Sequence, residues 1–131
     1  MHQYDVLIIG SGLAALTTAL KLADQRRIAI VTKRQMTDGA SDWAQGGIAA
    51  ALDSGDSIEA HVHDTMVAGG GLCDVAVTQM VARQASEMIA WLTQNGVAFT
   101  PDPQAPGGLH LAREGGHSRR RVVHAADATG H

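Results

Sequence analysis

The sequence predicts a Rossmann-like α/β domain built on a parallel sheet. Three observations support this prediction: an apolar run at residues 5–9, a glycine-rich turn directly after it, and a second apolar run at residues 28–32. A strand, a helix and a second strand fit within about 30 residues, which is the length of a βαβ unit with a right-handed crossover.

The first of these elements is a strand followed by an amphipathic helix. Residues 5–9 form a continuous apolar run, which is typical of a parallel strand covered on both faces. Apolar residues then recur at helical spacing and predict a helix that packs through one stripe. The residues of that stripe are Leu13, Leu16, Leu20 and Ala23.

Two further helices are predicted after a loop-like stretch at residues 33–56. Asp56, with Glu59 three residues later, resembles a capping box and starts a helix that runs to about Ala68. Asp74 can cap a longer helix, for which Gly96 is placed as the C-terminal stop. Its predicted apolar stripe contains Val77, Val81, Ala85, Met88 and Leu92.

Length and composition limit the classes of function. At 131 residues, 45% hydrophobic and 18% charged, the chain can form one domain around one core. Its formal net charge of -3, without a block of like charge, excludes the patterns typical of nucleic-acid binding and of anionic membranes. We expect no membrane-spanning segment, and the single cysteine, Cys73, fits a reducing compartment, for which the cytoplasm is the default.

The glycine-rich turn has the residues that a dinucleotide needs. In G-x-G-x-x-A, Gly10 permits the tight turn, Gly12 lets a pyrophosphate approach the backbone, and Ala15 lets the helix pack closely on the strand. Amides at the start of the helix then bind phosphate oxygens. The motif alone also occurs in chance turns, and by itself it fits NAD and FAD equally.

Lys33 stands near the end of the second strand, where an NAD site usually has an acidic residue that binds a ribose hydroxyl. This departure argues against an ordinary NAD site. The alternative is that Lys33 is a solvated residue at the end of a strand.

Three segments together resemble the L-aspartate oxidase family: the glycine turn, residues 39–48 with their A-Q-G-G-I loop, and residues 113–130 with their closing D-x-T-G. That family is grouped with the flavoprotein subunits of succinate dehydrogenase and fumarate reductase. The resemblance implies FAD as the cofactor. It also implies that residues 1–131 are the N-terminal part of a FAD-binding domain that is incomplete at its C-terminus, without the capping domain and the C-terminal helical domain.

The resemblance also implies which residues contact FAD. The turn would lie against the pyrophosphate, Lys33 would lie beside the adenosine portion, and the loop of residues 40–47 would wrap the flavin. A plain glycine-rich connector is the alternative for that loop. Succinate dehydrogenases carry a flavin-linked histidine where this chain has Ala40, so we expect non-covalent FAD. The implied FAD contacts are Gly10, Ser11, Gly12, Leu13, Ala14, Ala15, Lys33, Ala40, Ser41, Asp42, Trp43, Ala44, Gln45, Gly46 and Gly47.

Glu114 matches a glutamate that orients the substrate in the family. A carboxylate there would favour an α-ammonium and repel a plain dicarboxylate. An Arg113-Glu114 pair on a solvated loop is the alternative. His117 and Arg121 lie nearby, but a cluster of three arginines is more typical of a solvated or interdomain surface. We expect no metal site, and we expect Trp43 and Trp91 to be packing residues.

The implied activity is oxidation of L-aspartate to iminoaspartate, with oxygen or fumarate as the acceptor, as the first step toward quinolinate in NAD biosynthesis. Quinolinate synthase would then receive the iminoaspartate. The family's general base lies downstream of the residues resembled here, so the 131 residues alone are expected to be inactive. Two alternatives stay open: a soluble fumarate reductase or succinate dehydrogenase flavoprotein, and a truncated, non-catalytic FAD-binding fragment.

Overall fold

The computed structural model describes residues 2–105, 107–126 and 129–130. Among these residues, one compact unit falls within Met1–Ala44 and Gly130–His131, and a second falls within Gln45–Thr129.

The first unit is a βαβ arrangement. Strand β1 (Val6–Ile9) is followed by helix α1 (Leu13–Leu22) and strand β2 (Ile28–Val31). The two strands are parallel, in a register that pairs Val6 with Ile28 and Ile9 with Val31. The predicted α/β class with a parallel sheet is therefore confirmed.

The helix face of this unit differs from the prediction. Helix α1 packs on both strands, and its half-buried positions include Ala15, Ala19 and Leu22. The predicted stripe is wrong, because all four of its residues are exposed. Small alanine side chains let a helix approach a sheet closely, whereas the predicted stripe consists mainly of leucines. The exposed residues of the predicted stripe are Leu13, Leu16, Leu20 and Ala23.

Strand β1 also differs from the prediction, which had it covered on both faces. Its side chains alternate, so that Val6 and Ile8 are half-buried while Leu7 is 62% and Ile9 is 84% exposed. In the described part of the first unit, one face of the sheet is therefore packed and the other is apolar and exposed.

The second unit contains two helices and a short antiparallel ladder. Its elements are β3 (Ile48–Ala49), α2 (Ile58–Ala68), α3 (Val75–Gln94) and β4 (Val122–Val123). Strand β3 pairs with β4, Ile48 opposite Val123, and α2 packs against α3. The loop predicted over residues 33–56 is thus wrong at β3, because a two-residue strand is too short for an alternating pattern to reveal it.

The core of the second unit is small and apolar. Its buried members are Ala50, Ile89, Phe99 and Val123. Helix α3 contributes Ile89, and Ala85 and Leu92 pack beside it, as the predicted stripe requires. The stripe is wrong in its first half, because Val77 and Val81 are 54% and 58% exposed, whereas Ala82 is buried.

The helix caps are set by short polar side chains. Asp74 accepts a hydrogen bond from the Val77 amide at 2.9 Å and caps α3, as predicted. For α2 the predicted capping box at Asp56 is wrong. The N-cap is Ser57, whose hydroxyl accepts from the Ala60 amide at 3.0 Å, because the Asp56 carboxylate is occupied elsewhere, as described below.

Glycine is required at position 47, directly before β3, by the backbone conformation and by the atoms around it. Its φ of 109° lies in the left-handed region. A Cβ there would also overlap the carbonyl oxygen of Val123 and lie 2.8 Å from a Val122 methyl. Glycine at this position therefore permits the pairing of β3 with β4.

Replacing Gly47 by alanine is expected to lower the free energy of unfolding by about 1–2 kcal/mol, the usual cost of a left-handed residue that carries a Cβ. Urea unfolding of the apoprotein measures the change. Gly46→Ala is the matched control, because no atom lies within 4 Å of its Cβ position. Equal urea midpoints for the two variants would show that the close approach at Gly47 is unimportant.

Candidate functional site

The glycine turn joins the carboxyl ends of the two parallel strands. Gly10 has a φ of 112°, which favours glycine, and its amide donates to the Val31 carbonyl at 2.8 Å. The turn after β1 is thereby fixed to the end of β2. In open parallel sheets, ligands bind outside the carboxyl ends of the strands.

The N-terminus of α1 opens directly from this turn. Gly12 is the N-cap, it has no side chain with which to cap the helix, and the first turn contains no acidic residue. The Leu13 amide donates to the Ser41 hydroxyl at 3.1 Å, so Ser41 lies against the start of the helix. A helix start without a competing carboxylate has amides and partial positive charge for an anion. The arrangement fits a pyrophosphate.

Other predicted contacts of the first unit lie at the same edge. The hydroxyls of Ser11 and Thr32 are 3.5 Å apart. A Cβ on Gly39 would lie 3.8 Å from the Ser11 carbonyl oxygen, so the chain after β2 passes close to the glycine turn. Lys33 follows Thr32 at the end of β2 and is exposed.

The predicted flavin loop, residues 40–47, is divided between the two units. In the first unit it is a series of tight turns, in which Trp43 donates to the carbonyl of Ala40 at 3.3 Å and Ala44 donates to that of Ser41 at 3.2 Å. Trp43 is 78% exposed, so the prediction that it is a packing residue is wrong. Trp91 is half-buried.

The rest of this loop belongs to the second unit. Gln45 and Gly46 are exposed, as is Gly47. The Thr129 hydroxyl lies 3.5 Å from the Gln45 carbonyl and accepts a hydrogen bond from the Ala125 amide at 3.1 Å. Of the closing D-x-T-G motif, the first two residues, 127 and 128, lie outside the described residues.

Arg121 is the largest fully buried side chain of the described structure, with 0% of its surface exposed. Its Nε and Nη2 each donate to the Asp56 carboxylate at 2.8 Å, and its Nη1 donates to Asp64 at 2.6 Å. The prediction that all three arginines lie on a solvated or interdomain surface is therefore wrong for Arg121, although Arg119 and Arg120 are exposed.

Asp64 on α2 binds a second group from the same segment. The same carboxylate oxygen that receives Arg121 accepts from the amide and the hydroxyl of Ser118, both at 2.7 Å. These Ser118 bonds, with Arg121, hold the pKa of Asp64 well below its usual range. The Arg121 guanidinium likewise lowers the pKa of Asp56. Both carboxylates are thus kept ionised.

His61 lies beside this ion-pair network. Its side chain is 9% exposed, and within the described residues its buried Nδ1 has no hydrogen-bond partner. Burial, together with the charges of Arg121 and His117, lowers the pKa of His61. The centroids of the His61 and His117 rings are 5.8 Å apart. His61 is therefore held neutral next to a buried cation.

Glu114 begins a turn on this same segment. Its carbonyl accepts from the His117 amide at 3.2 Å, and Gly116 within the turn has a φ of 81°. The side chain of Glu114 is exposed. Other residues of the same segment, Arg113, Ser118, Arg119 and Arg120, line a recess of about 520 Å³.

Sequence reasoning missed the two carboxylate partners of Arg121. Asp56 was predicted to be a helix cap, and no role was predicted for Asp64. Asp56 precedes the N-cap of α2 and Asp64 lies within the helix, so no helical spacing in the sequence relates the two.

Two further findings concern the described residues alone. Among residues 2–105, 107–126 and 129–130, no three histidine, cysteine, aspartate or glutamate side chains are grouped so that they could hold a metal ion. In the same part of the chain, no helix has both the length and the apolar character needed to cross a membrane.

Comparison with known proteins adds a family and its relatives. A family described as FAD binding domain matches residues 5–131. L-aspartate oxidase 1 of Ralstonia nicotianae is 58% identical over 129 residues, which are 98% of this chain and 24% of that protein. L-aspartate oxidase of Pseudomonas aeruginosa is 51% identical over 134 residues, 98% of this chain and 25% of that protein. The chain spans about a quarter of the length of these relatives.

A solved structure supports the fold. A variant of E. coli quinol fumarate reductase superposes with a TM-score of 0.90 at 31% identity, covering 98% of this chain and 22% of that one. The resemblance to L-aspartate oxidases and the choice of FAD over NAD are confirmed.

Removing the Arg121 cation is expected to be strongly destabilising, because it leaves the carboxylates of Asp56 and Asp64 without the positive charge that they share. Arg121→Met should lower the free energy of unfolding by about 3–5 kcal/mol. Arg120→Met is the control, because Arg120 is exposed and should cost less than about 1 kcal/mol. Urea unfolding of both variants measures the difference, and similar losses would show that the buried ion pairs are not important for stability.

Proposed function

The chain belongs to the FAD binding domain family, and on that premise we propose that it is the N-terminal part of the FAD-binding domain of an L-aspartate oxidase. The observation that carries the proposal is the identity of 58% to L-aspartate oxidase 1 of Ralstonia nicotianae across 98% of this chain. The match covers 24% of that protein, and we propose that the parent of this chain continues with a capping domain and a C-terminal helical domain.

The first unit supplies the pyrophosphate contacts in this proposal. The turn from Gly10 to Ala15 offers the start of α1, where the N-cap residue Gly12 has no capping side chain and the first turn has no acidic residue to repel phosphate. Ser41 holds the Leu13 amide and thereby fixes the chain after β2 against the helix start. Lys33 supplies a positive charge at the end of β2 for the adenosine portion.

The loop of residues 40–47 provides the flavin contacts. Small residues in this loop let a planar ring system approach its backbone closely. Ala40 has no nucleophilic atom with which to bond to a flavin, so FAD is held without a covalent link. FAD, when bound, accepts a hydride from the substrate carbon.

Glu114 orients the substrate from the second unit. L-Aspartate differs from succinate in its α-ammonium, and an exposed carboxylate attracts that group. The recess lined by Arg113, Arg119 and Arg120 has the opposite charge and suits carboxylates. A site with both signs of charge favours an amino dicarboxylate over a plain dicarboxylate.

In the parent protein this arrangement corresponds to oxidation of L-aspartate to iminoaspartate, with oxygen or fumarate as the acceptor. The product would pass to quinolinate synthase in cytoplasmic NAD biosynthesis. The 131 residues on their own would bind parts of FAD without turnover, because the general base belongs to the remainder of the parent.

Acid precipitation of the purified parent protein is expected to release all of its flavin, because Ala40 cannot form a covalent link. Absorbance at the flavin band of the supernatant and of the washed pellet measures the two fractions. Flavin that remains in the pellet after denaturation would contradict non-covalent binding.

The parent protein is expected to produce peroxide with L-aspartate and much less with succinate, because only L-aspartate offers an ammonium to Glu114. Peroxide formation under air measures both activities. Glu114→Gln should lower kcat/KM for L-aspartate by about tenfold or more, the usual effect of losing one charge-assisted contact. Oxidation of succinate without oxidation of L-aspartate would instead indicate a succinate dehydrogenase or fumarate reductase.

A further inference from the structure

One oxygen of Asp64 binds three donors from a single segment of the chain. It accepts from the amide of Ser118, from the hydroxyl of Ser118 and from Nη1 of Arg121, at 2.6–2.7 Å. Asp64 lies on α2, so these bonds fasten the segment of residues 113–121 to a helix. Bonds of this length to an ionised group are the strong ones among protein hydrogen bonds.

The same segment is closed at its base by backbone pairing. The Ala112 amide donates to the Val122 carbonyl at 2.9 Å, and the Ala112 carbonyl accepts from the amides of Arg121 and Val122 at 3.1 Å. The residues between Ala112 and Arg121 therefore form a loop whose two ends are held together. The Asp64 carboxylate is the side-chain anchor within that loop.

Glu114 depends on this anchor for its position. Its carbonyl accepts from His117, and Ser118, the next residue, is bound to Asp64. Four peptide bonds thus separate Glu114, where the turn begins, from Ser118, whose amide is fixed. A loop fixed in this way loses little further entropy when its exposed carboxylate binds a cation.

We propose that Asp64 is a positioning residue for substrate selection: through Ser118 and Arg121 it fixes the loop that presents Glu114 to the α-ammonium of the substrate. This inference rests on the proposed function, since it assumes that Glu114 contacts the substrate. Asp64 itself does not touch the substrate, because its carboxylate is 10% exposed and its bonds are to the loop.

The contacts of Asp56 differ from those of Asp64, and the difference distinguishes positioning of the loop from a general contribution to stability. It binds Nε and Nη2 of Arg121 and makes no bond to Ser118. A change at Asp64 therefore loosens the loop at Ser118 while the Arg121 pair with Asp56 persists. The loop, rather than the helix, is the part expected to move.

The experiment uses the full-length parent protein with FAD bound and the variant Asp64→Asn. An amide retains the shape of the carboxylate but loses its charge and half of its acceptor oxygens. We expect kcat/KM for L-aspartate to fall about tenfold, the usual effect of losing a charge-assisted contact. The dissociation constant of succinate, titrated by flavin absorbance, should rise by a clearly smaller factor, since succinate has carboxylates for the arginines of the loop but no ammonium for Glu114 to bind.

The matched control is Asp74→Asn, which removes a carboxylate from another helix of the same unit, where asparagine caps as well as aspartate. This control should change neither kcat/KM for L-aspartate nor the dissociation constant of succinate. If Asp64→Asn does not fold, Ser118→Ala removes one of the three bonds, that of the hydroxyl, and keeps the amide bond and the Asp64 pair with Arg121. Ser118→Ala should selectively lower kcat/KM for L-aspartate, by a smaller factor than Asp64→Asn does.

Two outcomes would overturn the proposals, and they are distinguishable. If the unsubstituted protein does not oxidise L-aspartate, the proposed function fails. The second outcome is that the unsubstituted protein oxidises L-aspartate, but the folded variants reduce kcat/KM for L-aspartate and the affinity for succinate by equal factors, or change neither. Asp64 then has only a structural role and the inference fails.

Discussion

The buried guanidinium of Arg121 is the constraint on which the second unit depends. A cation without exposed surface is tolerated only with partners, and Asp56 and Asp64 occupy its donors at 2.6–2.8 Å. Asp56 lies directly before the N-cap of α2 and Asp64 lies within the helix. The network therefore ties that helix to the chain directly before β4. His61 stays neutral beside it, since a second buried positive charge would be costly.

The two units use their polar groups in different ways. In the second unit, charged side chains are buried and paired, and the exposed Glu114 lies on the loop that they hold. In the first unit, the N-cap of α1 is a glycine and the first turn has no acidic residue, and we propose that this helix start binds the phosphates of FAD. A phosphate site that consists of backbone amides needs glycine and small residues. A substrate site that recognises an ammonium group instead needs a carboxylate held in a fixed position.

Local rules predicted the local features well. The βαβ unit, the Asp74 cap and the glycine turn each depend on neighbouring residues, so the sequence was sufficient for them. The stripe on α1 was wrong, because helical spacing alone does not say which face meets the sheet, and Ala15 and Ala19 pack there instead of the leucines. The Arg121 network was missed because its partners are 57 and 65 residues away in the chain. No local pattern reports such a pairing.

A double-mutant cycle tests most directly whether Asp64 acts on the substrate through Glu114. The change in kcat/KM for L-aspartate caused by Asp64→Asn is measured in the unsubstituted parent protein and again in Glu114→Gln. If Glu114 transmits the effect, the loss of about tenfold should nearly disappear in the Glu114→Gln background. An equal loss in both backgrounds would show that the two residues act independently and would contradict the account.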